Sequence, residues 1–345
     1  MQHRRFLIGW VAGLVVLGLL AAWMTLRPAL LNKSAAFTGY QQILAISNRS
    51  QNGKLPVDVG ISIEKISDFS IKNVAWNADF YVWFKWQQPA DDPSFNPGEA
   101  FQVVAGTIQN KQKIVDMTTG DQHYILYRVS ASFNYPFNVA RYPLDDHLLS
   151  VFIQDPIHPQ IQYIADKANS RVDPSIRIPG YVITRTIMGA KDVSMDTTFG
   201  NPLGASKFAQ FGYGIFIFRQ GYGFYLKLFQ ALFAAVGVAL LSGFFKAHEE
   251  IRIELLVGGF FAAVANSYIT STYLPDTGTM TLLDQINLIG LATIFLCLIQ
   301  TVISSRYAVK GEQDFSLTFD RASFPIISFI YIALNLALPL AAQIR

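Results

Sequence analysis

Five long apolar runs constrain this chain more than any other feature. Crossing a bilayer takes about 20 mainly apolar residues at 1.5 Å rise each. Residues 6–26, 225–245, 253–274, 283–303 and 322–342 all meet that requirement. The composition agrees. Of 345 residues, 51% are hydrophobic, 14% aromatic and only 15% charged, where an average soluble domain has roughly a quarter charged. Fibrous and disordered classes are excluded, and a purely soluble protein is not expected. A net charge of +3 is too small to point to nucleic acid. The single cysteine, Cys297, excludes an internal disulfide and a Cys-rich metal site.

The third run differs from the others, because it carries Glu254, Asn266, Ser267, Thr270 and Ser271. Such a polar minority suits a helix lining water better than one facing lipid. Short cytoplasmic flanks are enriched in Lys and Arg. Arg4 and Arg5 precede the first run, Lys246 and Arg252 lie between the second and third, and Arg306, Lys310 and Arg321 between the fourth and fifth. The loop 275–282 has no basic residue. Five crossings with the N-terminus inside satisfy all of these, leaving residues 28–221 and the C-terminus outside. The first run reads either as an uncleaved anchor or as a secretory signal peptide, and both give the same orientation downstream.

Residues 28–54 form a weakly patterned lead-in. Segments 57–63, 80–86, 124–132, 148–153, 181–186 and 208–218 then alternate with the period of a strand. Turn-rich joints at 89–98, 116–121 and 200–206 separate them. Repeated short strands with no helix-period segment between them predict an antiparallel sandwich. The expected organisation is an anchor or signal peptide over 1–27, the lead-in over 28–54, an all-β periplasmic domain over 55–221 and a four-helix membrane domain over 222–345.

Catalytic signatures are missing. The chain has no Walker loop, nucleophile elbow or His-Glu-x-x-His; after His248-Glu249-Glu250, Arg252 stands where the second histidine would be. His3, His123, His147, His158 and His248 are scattered along the chain. No enzyme and no cofactor or metal is expected.

Three stretches resemble the pentameric ligand-gated ion channels, the Cys-loop receptor superfamily, in its bacterial form. Val57-Asp58-Val59-Gly60 with 78–86 is similar to the first two strands of the family's extracellular sandwich. Arg141-Tyr142-Pro143-Leu144-Asp145-Asp146 is similar to the aromatic-Pro-x-Asp core of its signature loop, with Tyr135 and Leu149 where animal receptors have cysteines. Arg252, Leu274-Pro275 and Asp284 are spaced like the ends of the family's pore helix, and Arg219 stands at its pre-membrane arginine. The resemblance covers 57–342 and implies a homopentamer that passes monovalent cations, gated from the outer domain, in a bacterial inner membrane.

The same resemblance assigns one face of the third run to the pore, and 3.6-residue spacing puts Glu250, Glu254, Gly258, Phe261, Ala265, Tyr268 or Ile269, and Thr272 on that face. In a pentamer the two glutamates form stacked acidic rings, which attract cations and repel anions. Five carboxylates so close cannot ionise independently, so conduction is expected to depend on pH. A ring of Phe261 is placed to close the conduit by dewetting. As an ordinary reading, Glu250 and Glu254 also suit the positive end of a helix dipole. Two adjacent glycines, Gly258 and Gly259, cost roughly 1–2 kcal/mol against alanine in a helix.

What the resemblance implies for gating falls on Asp145, Arg219, Pro275 and, in the turn after the first strand, Asp68. For agonist binding it implies an aromatic box, for which Trp83, Trp86, Tyr181, Phe199, Phe208 and Phe211 are the available rings; aromatic faces attract cationic amines. The ligand stays open among protons, a divalent cation and a small amine. The rival expectation is a non-conducting sensory or scaffolding protein with the same fold.

Overall fold

The computed structural model describes residues 2–31, 53–89, 92, 94–194, 207–276 and 278–343. The chain divides into two units. One is Ser34–Asn138 with Asp146–Gln220; the other is Met1–Lys33, Val139–Asp145 and Gly221–Arg345.

The first unit holds ten strands: β1 (Leu55–Ser70), β2 (Ala75–Gln87), β3 (Gln102–Val103), β4 (Gly106–Thr119), β5 (Gln122–Asn134), β6 (Asp146–Asp155), β7 (Ile161–Ala165), β8 (Arg171–Val172), β9 (Tyr181–Ser194) and β10 (Lys207–Arg219). One sheet runs β4-β5-β2-β1-β7, with β8 also on β1; the other runs β3-β6-β10-β9. Pairing is antiparallel except for β7 and β8, which lie parallel to β1.

The alternation read from the sequence is what buries the core. Val57, Val59, Ile61 and Ile63 of β1 are wholly inside, as are Phe80, Val82 and Phe84 of β2 and Leu149, Val151 and Ile153 of β6. Trp76 and Phe133, opposite each other in register, stack at 4.4 Å. Gly60 faces Trp83 across β1 and β2, and a Cβ there would fall 2.1 Å from the indole, so only glycine lets the ring lie flat on the neighbouring strand.

β4 has no counterpart among the expected strands. Its side chains are mostly exposed on both faces, and Lys111 and Lys113 sit at the sheet's edge. Charged side chains there block pairing with another chain, and the alternation that marks a half-buried strand is lost with them. Register shifts after Ile108 and after Lys113 disturb it further.

Trp83 is tied by its Nε1–H to Asp166 Oδ2 at 3.1 Å. Asn169 Nδ2 donates to both carboxylate oxygens of Asp166, and Lys85 Nζ lies 3.7 Å away. Burial pushes the Asp166 carboxyl up, but the hydrogen bonds from Asn169 and Trp83 and the charge of Lys85 outweigh it and hold the group below the usual aspartate value. A carboxyl more acidic when folded adds stability above about pH 4, and that stability is lost as pH falls through the folded value. Asp166→Asn should therefore lower the melting temperature at pH 7, with the gap to wild type narrowing in acid. A gap that stays constant from pH 7 to pH 3 would sink this assignment.

The second unit contains α1 (Gln2–Leu31), α2 (Gly223–Leu241), α3 (Glu250–Ser271), α4 (Leu282–Val309) and α5 (Gln313–Gln343). Five helices, spanning His3–Arg27, Gly223–Phe244, Glu250–Ser271, Leu282–Val309 and Gln313–Gln343, are long and apolar enough to cross a membrane. They correspond to the five apolar runs and make this a membrane protein. α4 and α5 extend beyond their runs, so that Arg306 lies in the last turn of α4 and Arg321 inside α5. Asp284 opens α4 through a capping box, its Oδ2 accepting from Thr281 N at 2.9 Å while Thr281 Oγ1 accepts from Asp284 N at 3.2 Å.

Residues Val139–Asp145, which include most of the signature-like loop, belong with the helices. Leu282 N donates to Ala140 O at 2.9 Å, seating the loop on the start of α4. Tyr142 meets Phe224 of α2 edge to face at 6.0 Å.

Candidate functional site

α3 is a helix of two faces. Arg252, Leu256, Gly259, Ala263, Asn266 and Thr270 are buried, and the helix packs on α2 and α4. Gly259 is the point of closest approach, since a Cβ there would lie 2.9 Å from the Ala235 carbonyl oxygen of α2. Gly258 has open space around it. The double glycine thus has a packing reason at one position, which the sequence pattern did not disclose.

The opposite face is left uncovered by the chain's own helices. Glu250, Glu254, Gly258, Phe261, Ala265, Tyr268 and Ile269, with Thr272 just past the helix end, are all exposed. Phe261 and Tyr268 are 68% and 75% exposed, far more than single large rings in a finished core. Among the described residues, the two glutamates stand one turn apart at the N-terminal end of this face, and hydroxyl groups lie at its other end.

Polar pins fix which face is which. Near the C-terminal end, Asn266 Nδ2 donates to Asn287 Oδ1 at 3.1 Å, and Asn287 Nδ2 donates to Thr270 Oγ1 at 2.9 Å. For Asn266 and Thr270 this corrects the expectation that the polar minority of α3 lines water. Asn266 and Thr270 face α4, because buried amides and hydroxyls must be paired and Asn287 pairs both; Ser271 is exposed.

At the N-terminal end the pin is stronger. Arg252 is fully buried. Its Nη1 and Nη2 reach Asp320 Oδ2 and Oδ1 of α5 at 2.7 and 3.2 Å. Nε donates to Thr301 Oγ1 at 3.1 Å, Nη2 to Gln300 Oε1 at 3.0 Å, and Nη1 to Phe245 O at 3.3 Å. All five guanidinium donors are used, Gln300 Nε2 donates to Asp320 as well, and the charge lies 5.0 Å from the ring centre of Phe324. The sequence shows Arg252 as a flanking charge and a spacing marker. Gln300, Thr301 and Asp320 were missed, because nothing in a linear pattern pairs residues so far apart; a lone Asp320 at the edge of an apolar run was the available signal.

The residues expected to couple the domains are distributed as follows. Asp145 is buried in the helical unit and Pro275 is half-buried in the loop after α3. Arg219 ends β10, donates to Tyr181 Oη, and lies 4.4 Å over the Tyr181 ring. Asp68 is exposed near the end of β1 with φ 52°, and Asn77 Nδ2 donates to it at 2.9 Å.

The aromatic candidates are packed rather than open. Trp83, Trp86, Tyr181, Phe208 and Phe211 are all buried. Trp86 stacks on His123 at 4.4 Å, and its Nε1 donates to Gln88. Tyr181 joins Phe69 and His147 in a ring cluster, at 5.1 and 5.9 Å. Alternate strand positions had to be filled, and these rings fill them. Phe199 lies outside the described residues. Also among the described residues, no group of three or more His, Cys, Asp or Glu side chains is placed to hold a metal ion.

The chain matches no protein-family model, and no curated protein proved similar to it.

Proposed function

We propose that the protein is a homopentameric cation channel of the pentameric ligand-gated type, with the exposed face of α3 lining the conduit. A single observation carries the reading. Every residue of α3 that the resemblance assigns to the pore lies on the uncovered face, while the opposite face is held by Arg252, Gly259, Asn266 and Thr270. The order of elements, one apolar helix, ten strands in two sheets and four further apolar helices, is also the order the resemblance implies. Facing one another around a five-fold axis, Glu250 and Glu254 would form two acidic rings at the cytoplasmic mouth, drawing in cations and turning away anions. Phe261, higher on the same face, supplies the apolar constriction. The basic flanks support a reading in which residues 55–221 lie outside the inner membrane and the N-terminus of α1 inside. Agonist binding is not attached to the buried aromatic rings.

Native mass measurement and proteoliposome currents test the proposal together. Five copies per particle, with a reversal potential following the potassium gradient in asymmetric KCl, is the expected result. A monomer or dimer, or a potential following chloride, would overturn it; a pentamer passing no current would favour the scaffold.

A further inference from the structure

One turn of α5 is gripped from two sides. Phe319 and Ser323, spaced i and i+4, share one face; Asp320 and Phe324, with the same spacing, share the next. The first face meets α1. Trp10 Nε1 donates to Ser323 Oγ at 3.0 Å, and the Trp10 ring lies 5.5 Å from Phe319. Phe6 adds a second ring contact to Phe319 at 6.0 Å. Ser323 Oγ in turn donates to Phe319 O at 2.7 Å, so the hydroxyl is satisfied in both roles. The second face meets the foot of α3, through the bidentate pair of Asp320 with Arg252 and the Phe324 ring beside the guanidinium. Phe324 also lies against Gly243, where a Cβ would be 2.7 Å from the ring.

The contact with α1 is not confined to this turn. His3 lies 3.5 Å from Glu312 and 4.6 Å from the ring of Phe315, and Gly18 receives Ile330 so closely that a Cβ would fall 2.9 Å from its side chain. The first helix therefore follows α5 over several turns with matched partners, as a structural element would. A peptide removed after export would leave Phe319 uncovered in lipid and Ser323 Oγ without its donor.

We propose that α1 is retained in the mature protein and acts through residues 319–324 of α5 on the setting of Arg252, and so on the orientation of α3. The two contacts on neighbouring faces of residues 319–324 are the proposed route of the coupling; Trp10 and Arg252 need no contact with each other. The consequence for conduction rests on α3 lining the pore, whereas the coupling does not.

A double-mutant cycle separates the two. Glu254→Cys gives an exposed thiol on α3, and the native Cys297 is buried, so a charged, water-soluble thiol reagent reads the new site in the full-length protein. Modification rates are measured with Trp10→Phe, with Asp320→Asn, and with both; Ser323→Ala provides an independent route to the same break. Intact mass should show α1 present. The double variant's rate should depart from the product of the single effects by about two-fold or more, as for residues that share a network. A mature mass lacking α1, or single effects that simply multiply with both Trp10→Phe and Ser323→Ala, would overturn the proposal. Absence of current with a coupled cycle would refute the channel and leave the coupling standing.

Discussion

Arg252→Ala is expected to destabilise the protein by about 3–5 kcal/mol, the usual loss when one partner of a buried ion pair is removed. The reason is what the substitution leaves behind. Asp320 would remain buried with, among the described residues, Gln300 as its remaining hydrogen-bond donor, and Thr301 Oγ1 and the Phe245 carbonyl would each lose a donor. Removing the side chain also opens a hole between α3, α4 and α5. Asp320→Asn keeps the shape but leaves the Arg252 guanidinium buried without a counter-charge, so it should cost a similar amount. Replacing both residues with apolar ones of similar volume, by contrast, should recover much of the loss, since no charge is then left unpaired. Thermal unfolding of the purified protein in detergent reads all three. Equal melting temperatures for wild type and Arg252→Ala would mean that the pair is not formed in the folded protein.

Glu254→Lys carries the second large effect. If five copies of Glu254 surround the conduit, the substitution exchanges a ring of negative charges for a positive one at the narrow mouth, where a like-charged ion is repelled at close range. The reversal potential in a KCl gradient should change sign, from the potassium side to the chloride side. Glu254→Gln should move it part of the way, because Glu250 remains one turn below. Glu254 is exposed in the single chain, so neither change should alter folding stability by more than the roughly 0.5 kcal/mol of an ordinary surface substitution. An unchanged potential in both variants would place Glu254 outside the ion path.

Much of the architecture was legible in the sequence because it rests on local repetition. Apolar runs of this length read as membrane helices, and strand-like patterning over 57–63, 80–86 and 208–218 marks strands, the last of them buried on both faces. β4 was hidden for the converse reason. An edge strand with little to bury has no apolar period, so Lys111, Lys113 and their neighbours carry no strand pattern in the sequence. The aromatic box shows another limit. Trp83, Trp86, Tyr181, Phe208 and Phe211 are the right residue types for a ligand site, yet ring type does not say which rings face one another in a core.

For α3 the division is sharp. Helical spacing alone grouped Glu250, Glu254, Phe261 and Thr272 on one side. Spacing is silent on which side faces the neighbouring helices, because 3.6-residue periodicity gives relative and not absolute rotation. That rotation was decided by tertiary partners distant in the chain: Asp320, Gln300 and Thr301 around Arg252, Ala235 against Gly259, and Asn287 between Asn266 and Thr270. The chain's own text determined which helices are long and apolar enough to cross a membrane and where most strands run; only packing, through partners such as Asp320 for Arg252 and Asn287 for Asn266, decided which faces they present.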